Sequence, residues 1–221
     1  MDYTLRAGVS FCIAGDRPIF LDRNRDRYFA LAGEKEASFL GLLCGSVPNH
    51  ASSSTTELID AGIIQHDRMG APIAACSYDA PPSESLWDRD EPTSVWGRAN
   101  AAASLFRATR GLRVSNLSTI LTTIEDRKRA LASSCRPDGS DVRAATAMAF
   151  RALGKVVASH NRCLPYSLAI MDRLLSRGVS ADLVFGVAVR PFVAHCWVQH
   201  RGAILSDRLE HVRLFTPIMV I

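Results

Sequence analysis

The fold of the C-terminal part of the chain follows from residues 163–200, which read CLPYSLAIMDRLLSRGVSADLVFGVAVRPFVAHCWVQH. Apolar residues in Leu164–Ser176 recur at helical spacing on one face, and Gly178 lies where glycine commonly ends a helix. Three β-type segments separated by turn residues follow: Leu183–Val189, Val193–His200 and Ala203–Ser206. The pattern predicts one helix packed against an antiparallel sheet.

Cys163 stands at the start of this helix, and Pro165 lies in the first turn, where a missing N–H costs little. The free N–H groups and partial positive charge of a helix N-terminus favour a thiolate and can hold an oxyanion. His195 lies in a later strand, and Asp207 lies at the end of the next one. A thiol, an imidazole and a carboxylate in this order predict a cysteine hydrolase with nucleophile, general base and orienting group.

The hairpin that carries His195 and Asp207 determines whether their side chains can meet. If Arg201-Gly202 alone formed the loop, residue 195 would face residue 208, and strand alternation would turn Asp207 away from His195. A three-residue loop, His200-Arg201-Gly202, with a left-handed glycine, would place 195 opposite 207. We therefore predict the three-residue loop.

Each of these residues also has an ordinary structural explanation. A cysteine at a helix start is commonly buried structure, a strand histidine commonly belongs to the core, and an aspartate commonly forms turns. A metal site built from His195, Cys196 and His200 is disfavoured, because the last two lie on the opposite strand face from the first. We expect no metal site, and we expect Tyr166 and Ser167 to lie on the helix surface.

Three segments upstream of Cys163 have helical periodicity: Val95–Thr109, Leu117–Ala132 and Asp141–Val157. Each carries an apolar stripe that we expect to be helix core rather than a ligand site. The stripe of the first segment consists of Trp96, Ala99, Ala103 and Phe106.

The N-terminal part has a different pattern, which predicts a small winged-helix-like domain over residues 1–70. Its strand-like and helical segments are, in order, Val9–Ala14, Arg17–Asp22, Arg27–Leu31, Glu34–Leu43 and Glu57–Ile64, the last running from helix into strand. Proline-rich polar sequence over residues 71–93 predicts a linker, and residues 94–221 then form a second domain. The predicted fold class is α+β.

Composition and charge exclude several classes of protein. With 48% hydrophobic and 22% charged residues, the chain has an ordinary globular composition. Residues 1–80 carry a net charge of −3 against +7 for residues 81–221, so the N-terminal part is a poor match for nucleic acid. We find no membrane-spanning run and no secretory signal, so we expect a cytoplasmic protein. The 6 cysteines include no Cys-x-x-Cys pair, which disfavours a disulfide framework and a closed zinc site.

Several of these segments resemble the lasso-peptide maturation B proteins, which are transglutaminase-like leader peptidases. The resemblance rests on residues 163–169 (CLPYSLA), 178–179 (GV), 185–187 (FGV) and 191–198 (PFVAHCWV). It covers residues from about 160 to 208, and the N-terminal part is similar in layout to the precursor-recognition domain of many members. The chain differs from the family pattern at Cys196 and Gln199, where alanine and glutamate are common, and at Ser206, where asparagine often precedes the aspartate.

The resemblance implies a transglutaminase- or papain-like cysteine peptidase domain whose triad is Cys163, His195 and Asp207. It implies a ribosomally made precursor, cut between leader and core, and a separate ATP-using, asparagine-synthetase-like cyclase that closes the macrolactam. No cofactor is implied for this chain itself. The leader would add as a strand beside Arg27–Leu31, with the helix Glu57–Ala61 as the other wall. The candidate peptide-binding residues, each of which ordinary core packing would explain equally well, are Tyr28, Phe29, Leu31, Leu58 and Ile59.

Three other functions compete with a peptidase. One is a non-catalytic adaptor that presents a precursor to a partner enzyme, which the intact triad argues against. Another is acyl transfer to an amine, which would give a joined product instead of two fragments. The last is DNA binding by the winged-helix-like part, which its net charge of −3 disfavours. The sequence identifies no oxyanion donor beyond the backbone N–H of Cys163.

Overall fold

The computed structural model describes residues 3–45, 53–67, 70–89, 92–132, 139–154 and 162–221. The chain divides into two compact units, Met1–Ser77 and Tyr78–Ile221. In the first unit the elements are β1 (Tyr3–Leu5), β2 (Val9–Ala14), β3 (Arg17–Asp22), β4 (Arg27–Ala30), α1 (Glu34–Leu43), α2 (Ser53–Asp60) and β5 (Ile64–His66). Strands β2, β3 and β4 form an antiparallel sheet in that order, and β1 pairs with β5.

The core of the first unit is an aromatic cluster between its three-stranded sheet and its helices. The ring of Phe39 on α1 lies edge-on to Phe11 and Phe20 of the sheet, with centroid distances of 5.0 and 4.8 Å. At the end of β3, the buried carboxylate of Asp22 pairs with Arg6 and accepts the backbone N–H of Asn24, which fixes the turn into β4. The strands and helix predicted between Val9 and Leu43 therefore form, whereas three-residue β1 is too short to show alternation in the sequence.

The second unit contains a five-stranded sheet and five helices among its described residues. Its elements are β6 (Glu84–Ser85), α3 (Val95–Val114), α4 (Leu117–Ala132), α5 (Ser140–Gly154), α6 (Cys163–Ser176), β7 (Asp182–Val189), β8 (Phe192–His200), β9 (Ala203–Ile204), α7 (Leu209–Val212) and β10 (Thr216–Val220). The predicted end of the third helix at Val157 lies outside the described residues. No helix within those residues is long and apolar enough to cross a membrane.

The sheet of the second unit has the strand order β10-β7-β8-β9-β6. All neighbouring pairs are antiparallel except β6 and β9, which run parallel, so the expected antiparallel sheet forms with one parallel edge. Helix α6 packs against α3, α5 and β8, and its Ala169, Ile170 and Met171 are fully buried. The helix that begins with Cys163 is therefore held from several sides. The α+β class predicted for the chain is confirmed.

The stretch predicted as a linker, residues 71–93, differs from that prediction. The boundary between the two units falls between Ser77 and Tyr78, inside this stretch. Beyond the boundary, Glu84–Ser85 forms a strand on β9, and Leu86 is buried. A two-residue polar strand takes its stability from hydrogen bonds to its neighbour, so composition alone gives no sign of it.

The apolar stripe predicted as the core of α3 is exposed, so that prediction is wrong. Trp96 is 80% exposed and Phe106 is 69% exposed, and Ala99 and Ala103 are exposed as well. The helix instead buries the face of Ala101, Ser104 and Leu105. This buried face is made of small and polar residues as well as leucine, so hydrophobic spacing selects the wrong side of the helix.

Candidate active site

Cys163 is the first residue of α6, and its side chain is half-buried. The first backbone hydrogen bond of the helix runs from the N–H of Tyr166 to the carbonyl of Arg162, at 3.1 Å. The N–H groups of Cys163 and Leu164 precede this bond, and Pro165 has none, so these two donors point out of the helix end. The Cys163 thiol therefore lies beside a positively polarised helix terminus.

The side chains of His195 and Asp207 are brought together as predicted from their residue types. Nε2 of His195 lies 2.7 Å from Oδ2 of Asp207, and the two side chains are 13% and 19% exposed. The imidazole also packs between the rings of Trp197 and Phe215, at centroid distances of 6.0 and 4.9 Å. Opposite His195 in the sheet lies Gly186, where a Cβ atom would come within 2.8 Å of the Trp197 ring.

The hairpin loop has two residues, so the predicted three-residue loop is wrong. His200 pairs with Ala203, and both Arg201 and Gly202 have positive φ, 49° and 83°. Such a pair of left-handed residues forms a tight turn whose twist matches the flanking strands. The prediction assumed that the ladder continues as far as Asp207, and this assumption is what fails.

The chain leaves the ladder before Asp207, which frees this residue from strand alternation. The N–H of Leu205 still donates to the carbonyl of Val198, at 2.8 Å. In return, however, the N–H of Val198 donates to Oγ of Ser206, also at 2.8 Å, instead of to a backbone carbonyl. The chain bends over residues 205–207, and this bend turns the Asp207 carboxylate toward His195.

Asp207 is held by further groups that sequence reasoning missed. Nδ1 of His211 lies 2.7 Å from the same Oδ2 atom that meets His195, and the N–H of Arg208 donates to Oδ1 at 2.7 Å. The hydroxyl of Ser85 donates to the backbone carbonyl of Asp207, also at 2.7 Å. His211 lies four residues after Asp207, a helical spacing that could have drawn attention to it; nothing in the sequence marks Ser85.

The early end of β9 also exposes the edge of β8 to α6. The thiol of Cys196, the side chain of His195 and the backbone N–H of Cys196 all favour the thiolate form of Cys163 and lower its pKa. One helical turn later, the hydroxyl of Ser167 donates to the carbonyl of Cys196, at 3.2 Å. Ser167 is 1% exposed, so the expectation of a surface residue is wrong, and Tyr166 is half-buried beside Phe150. Cys163 thus reaches two successive residues of β8 because it approaches the strand at its edge.

Hydrogen bonds favour a thiolate–imidazolium pair in this site. Hydrogen bonds from the Cys196 thiol, and then from His195, outweigh burial and lower the pKa of Cys163 to about 4. Burial alone would lower the pKa of His195, but its hydrogen bonds to Asp207 and Cys163 raise that pKa to about 9. Burial would raise the pKa of Asp207, yet hydrogen bonds from His195 and His211 lower it. Near neutral pH these pKa shifts favour an ionised Cys163 and a protonated His195.

Within the described residues, one cluster of side chains has potential metal ligands close enough together to bind an ion. The ligand atoms of His195, Asp207 and His211 all lie within 4.8 Å of one another. Two 2.7 Å hydrogen bonds between these atoms account for their approach without an ion. The set considered from sequence is not assembled, since Nδ1 of His200 bonds to the carbonyl of Ser180.

The five candidate peptide-binding residues fall into two groups. Leu58 is fully buried and Leu31 is 7% exposed, and both belong to the core cluster of the first unit, which favours the alternative explanation of ordinary core. Phe29 and Ile59 are half-buried and pack against that cluster, and Tyr28 is half-buried on β4. Strand β4 is last in the order of its sheet, the position at which an added strand would pair.

Comparisons with known proteins show the family of the chain. The sequence profile of the transglutaminase-like superfamily matches residues 102–220, which is more than half of the chain. This range contains Cys163, His195 and Asp207. The chain is also similar to the microcin J25-processing protein McjB of Escherichia coli, with 44% identity over 45 residues. This alignment covers 20% of the chain and 22% of McjB. No solved structure gives a significant match. The similarity to McjB supports the resemblance to lasso-peptide maturation B proteins, and the profile match shows that the chain belongs to the transglutaminase-like superfamily.

Proposed function

We propose that this protein is a cysteine peptidase that removes the leader from a ribosomally made lasso-peptide precursor. One observation carries the proposal: Nε2 of His195 lies 2.7 Å from Asp207, and this histidine helps to lower the pKa of Cys163, the first residue of α6, to about 4. McjB, with which the chain shares a 45-residue similarity, is named as a protein that processes microcin J25. A peptide amide is accordingly the bond that we assign to this site.

The reaction follows from the protonation states of the pair. The Cys163 thiolate attacks the carbonyl of the last leader residue, and the N–H groups at the start of α6 stabilise the oxyanion. The His195 imidazolium donates its proton to the departing amine of the core, and Asp207 keeps the ring oriented. His195, now neutral, takes a proton from water, which attacks the thioester and releases the leader acid.

In this proposal the first unit recognises the leader, which would add as a strand beside β4. Backbone hydrogen bonds would supply affinity, and Tyr28, Phe29 and Ile59 would supply contacts to side chains. A separate asparagine-synthetase-like cyclase would then close the freed core, and any need for ATP would lie with that partner. A free thiolate nucleophile and an ATP-using partner both suit the cytoplasm.

The test is mass spectrometry of a precursor peptide encoded beside the gene, after incubation with the purified full-length protein. The wild type should give two fragments and Cys163→Ala should give none, with and without the cyclase. An uncut peptide that binds both forms would replace the peptidase by an adaptor. A product in which the leader carbonyl is joined to an added amine would replace it by an acyltransferase.

A further inference from the structure

Helix α3 carries a long exposed apolar face that has no role in the proposed hydrolysis. Its large side chains are Val95, Trp96, Phe106 and Val114, and each of them is between 69% and 80% exposed. Between the two rings lie the exposed Ala99 and Ala103, at helical steps of three and four residues. These six residues form the α3 face. Single exposed apolar residues are ordinary, but a contiguous set on one helix is typical of a contact with another molecule.

The charge on α3 is entirely positive. The helix contains no aspartate or glutamate, and its charged residues are Arg98, Arg107, Arg110 and Arg113. Arg107 pairs with Asp172 at 3.3 Å. The other three arginines are exposed and form no ion pair with any described residue. Arg110 continues the helical steps of the α3 face one turn after Phe106, so an occupant that matches this face brings carboxylates beside its own apolar surface.

We propose that the α3 face docks an acidic amphipathic helix of the enzyme that receives the cut precursor, and this choice of partner rests on the proposed function. Trp96 and Phe106 lie about 15 Å apart along the axis, a length that roughly three turns of a second helix would cover. The alanines between them let the two helices approach closely. Carboxylates at the border of the docked helix would pair with the unpaired arginines of α3.

Two other occupants match the α3 face less well. A second copy of this chain would bring an equally basic helix against the first, and like charges across an interface lower affinity. An anionic membrane would attract the arginines, but membrane binding depends on the apolar area that is buried, and alanine contributes little of it. The charge and the central alanines therefore favour an acidic helix.

The test titrates the full-length protein with the purified asparagine-synthetase-like cyclase encoded beside the gene, in the absence of precursor. Binding measured by biolayer interferometry should weaken as NaCl is added, because the arginines are exposed. Phe106→Glu and Trp96→Glu should each weaken binding by roughly tenfold or more, since central aromatic residues dominate interface energies. Leu214→Glu is the matched control: Leu214 is 68% exposed but lies outside α3, so this variant should bind like the wild type.

Arg110→Glu should also weaken binding and should reduce its dependence on salt, which a purely apolar contact would not show. No binding to the wild type, or equal affinity for all variants, would overturn the proposal. A wild-type dimer that Phe106→Glu dissociates would overturn it in favour of a second copy. Adsorption of the protein alone to phosphatidylglycerol vesicles, abolished in Trp96→Glu, would overturn it in favour of a membrane.

These measurements contain no precursor, so their outcome is separate from that of the cleavage test. The α3 variants should cleave the precursor at the wild-type rate in the absence of the cyclase. A protein that binds the cyclase through α3 but cuts no precursor would contradict the proposed peptidase and leave the docking surface in place.

Discussion

The hydroxyl oxygen of Ser206 accepts the backbone N–H of Val198 at 2.8 Å, where a continued antiparallel ladder would supply a backbone carbonyl. This single side-chain contact ends the hairpin register and starts the bend that delivers Asp207 to His195. The geometry of the triad therefore depends on a residue that touches none of its reacting atoms.

Ser206→Ala should lower both stability and activity. It leaves the N–H of Val198 without its acceptor, which costs about 1–3 kcal/mol for a buried group. It also removes the contact that holds the bend, so peptide cleavage should fall further than the loss of folded protein explains. Denaturant unfolding and kcat measured on the same samples check both effects. Ser206→Thr keeps the hydroxyl and should stay close to wild type, whereas an alanine variant with unchanged stability and kcat would contradict this account.

Asp207→Asn should reduce activity much more than His211→Ala. The asparagine amide cannot hold His195 as an imidazolium, and general acid–base catalysis contributes about 10²–10⁴-fold. Loss of His211 removes one of three hydrogen bonds to the carboxylate. A hydrogen bond to a charged group contributes about 1.5–3 kcal/mol, which limits the loss to roughly 100-fold. His211→Asn is the control, because its side-chain amide can donate a hydrogen bond to Asp207 from about the place of the histidine Nδ1 atom. Equal losses for His211→Ala and His211→Asn would show that this hydrogen bond is unimportant.

The pH dependence of reactivity at Cys163 should reflect the pKa values of Cys163 and His195. The rate of alkylation by iodoacetamide should rise through a pKa of about 4 as Cys163 loses its proton. Peptide cleavage should rise through the same pKa and fall through about 9, where His195 loses the proton that it gives to the leaving amine. Hydrogen bonds from Cys196 and from His195 both lower the pKa of Cys163, so Cys196→Ala and His195→Ala should each move the alkylation midpoint upward. An unmoved midpoint in both variants would contradict the assignment.

Gly186→Ala should disturb the support of His195. The added Cβ would lie 2.8 Å from the Trp197 ring and 2.9 Å from Cβ of Phe215, both of which pack against the imidazole. Overpacking of this kind costs about 1–3 kcal/mol, and we expect kcat to fall because the ring must move. Gly111→Ala is the matched control: no atom lies within 4 Å of its Cβ position in α3, and it should stabilise the helix by about 0.5–1 kcal/mol. Equal thermal stability of the two variants would show that the close packing at Gly186 is relaxed.

Substitutions at the neighbouring residues Leu58 and Ile59 should affect different properties, namely stability at Leu58 and leader binding at Ile59. Leu58 is fully buried, so Leu58→Ala should cost about 2–5 kcal/mol of stability. Ile59 is half-buried, so Ile59→Ala should cost less stability and should weaken binding of the leader peptide. Calorimetric titration of a leader peptide and thermal unfolding measure the two effects. Loss of affinity in neither Ile59→Ala nor Phe29→Ala would move leader recognition away from β4 and α2.

Much of this structure can be predicted from the sequence where a pattern is local. The helix α6 begins at the nucleophile, and its apolar spacing and its terminal Gly178 are both visible in the chain. Strands β7 and β8 are rich in β-branched, aromatic and other apolar residues that favour strands. The identity of Cys163, His195 and Asp207 as a set follows from residue type and order along the chain.

The remaining features depend on contacts between distant segments, which local patterns do not encode. Side chains alternate along the hairpin only as far as the ladder continues, and the ladder ends where Ser206 replaces a backbone acceptor. The exposed Trp96 and Phe106 give a normal helical stripe, and only the packing of α3 shows which face is buried. The sequence around Ser167 suggests a surface serine, but α6 packs at the edge of β8 and buries its hydroxyl against the Cys196 carbonyl.

The hydrogen bond from Ser85 to the backbone carbonyl of Asp207 means that the second unit must include β6 if it is to be exchanged as a module. A boundary drawn by composition, near residue 94, would cut away β6 and with it the hydrogen bond that holds the backbone carbonyl of Asp207. We expect a chimaera of related proteins to keep this contact when the crossover lies at the boundary between Ser77 and Tyr78. A stretch whose composition is typical of a connector therefore belongs structurally to the second unit, and we expect it to tolerate less variation than a spacer would.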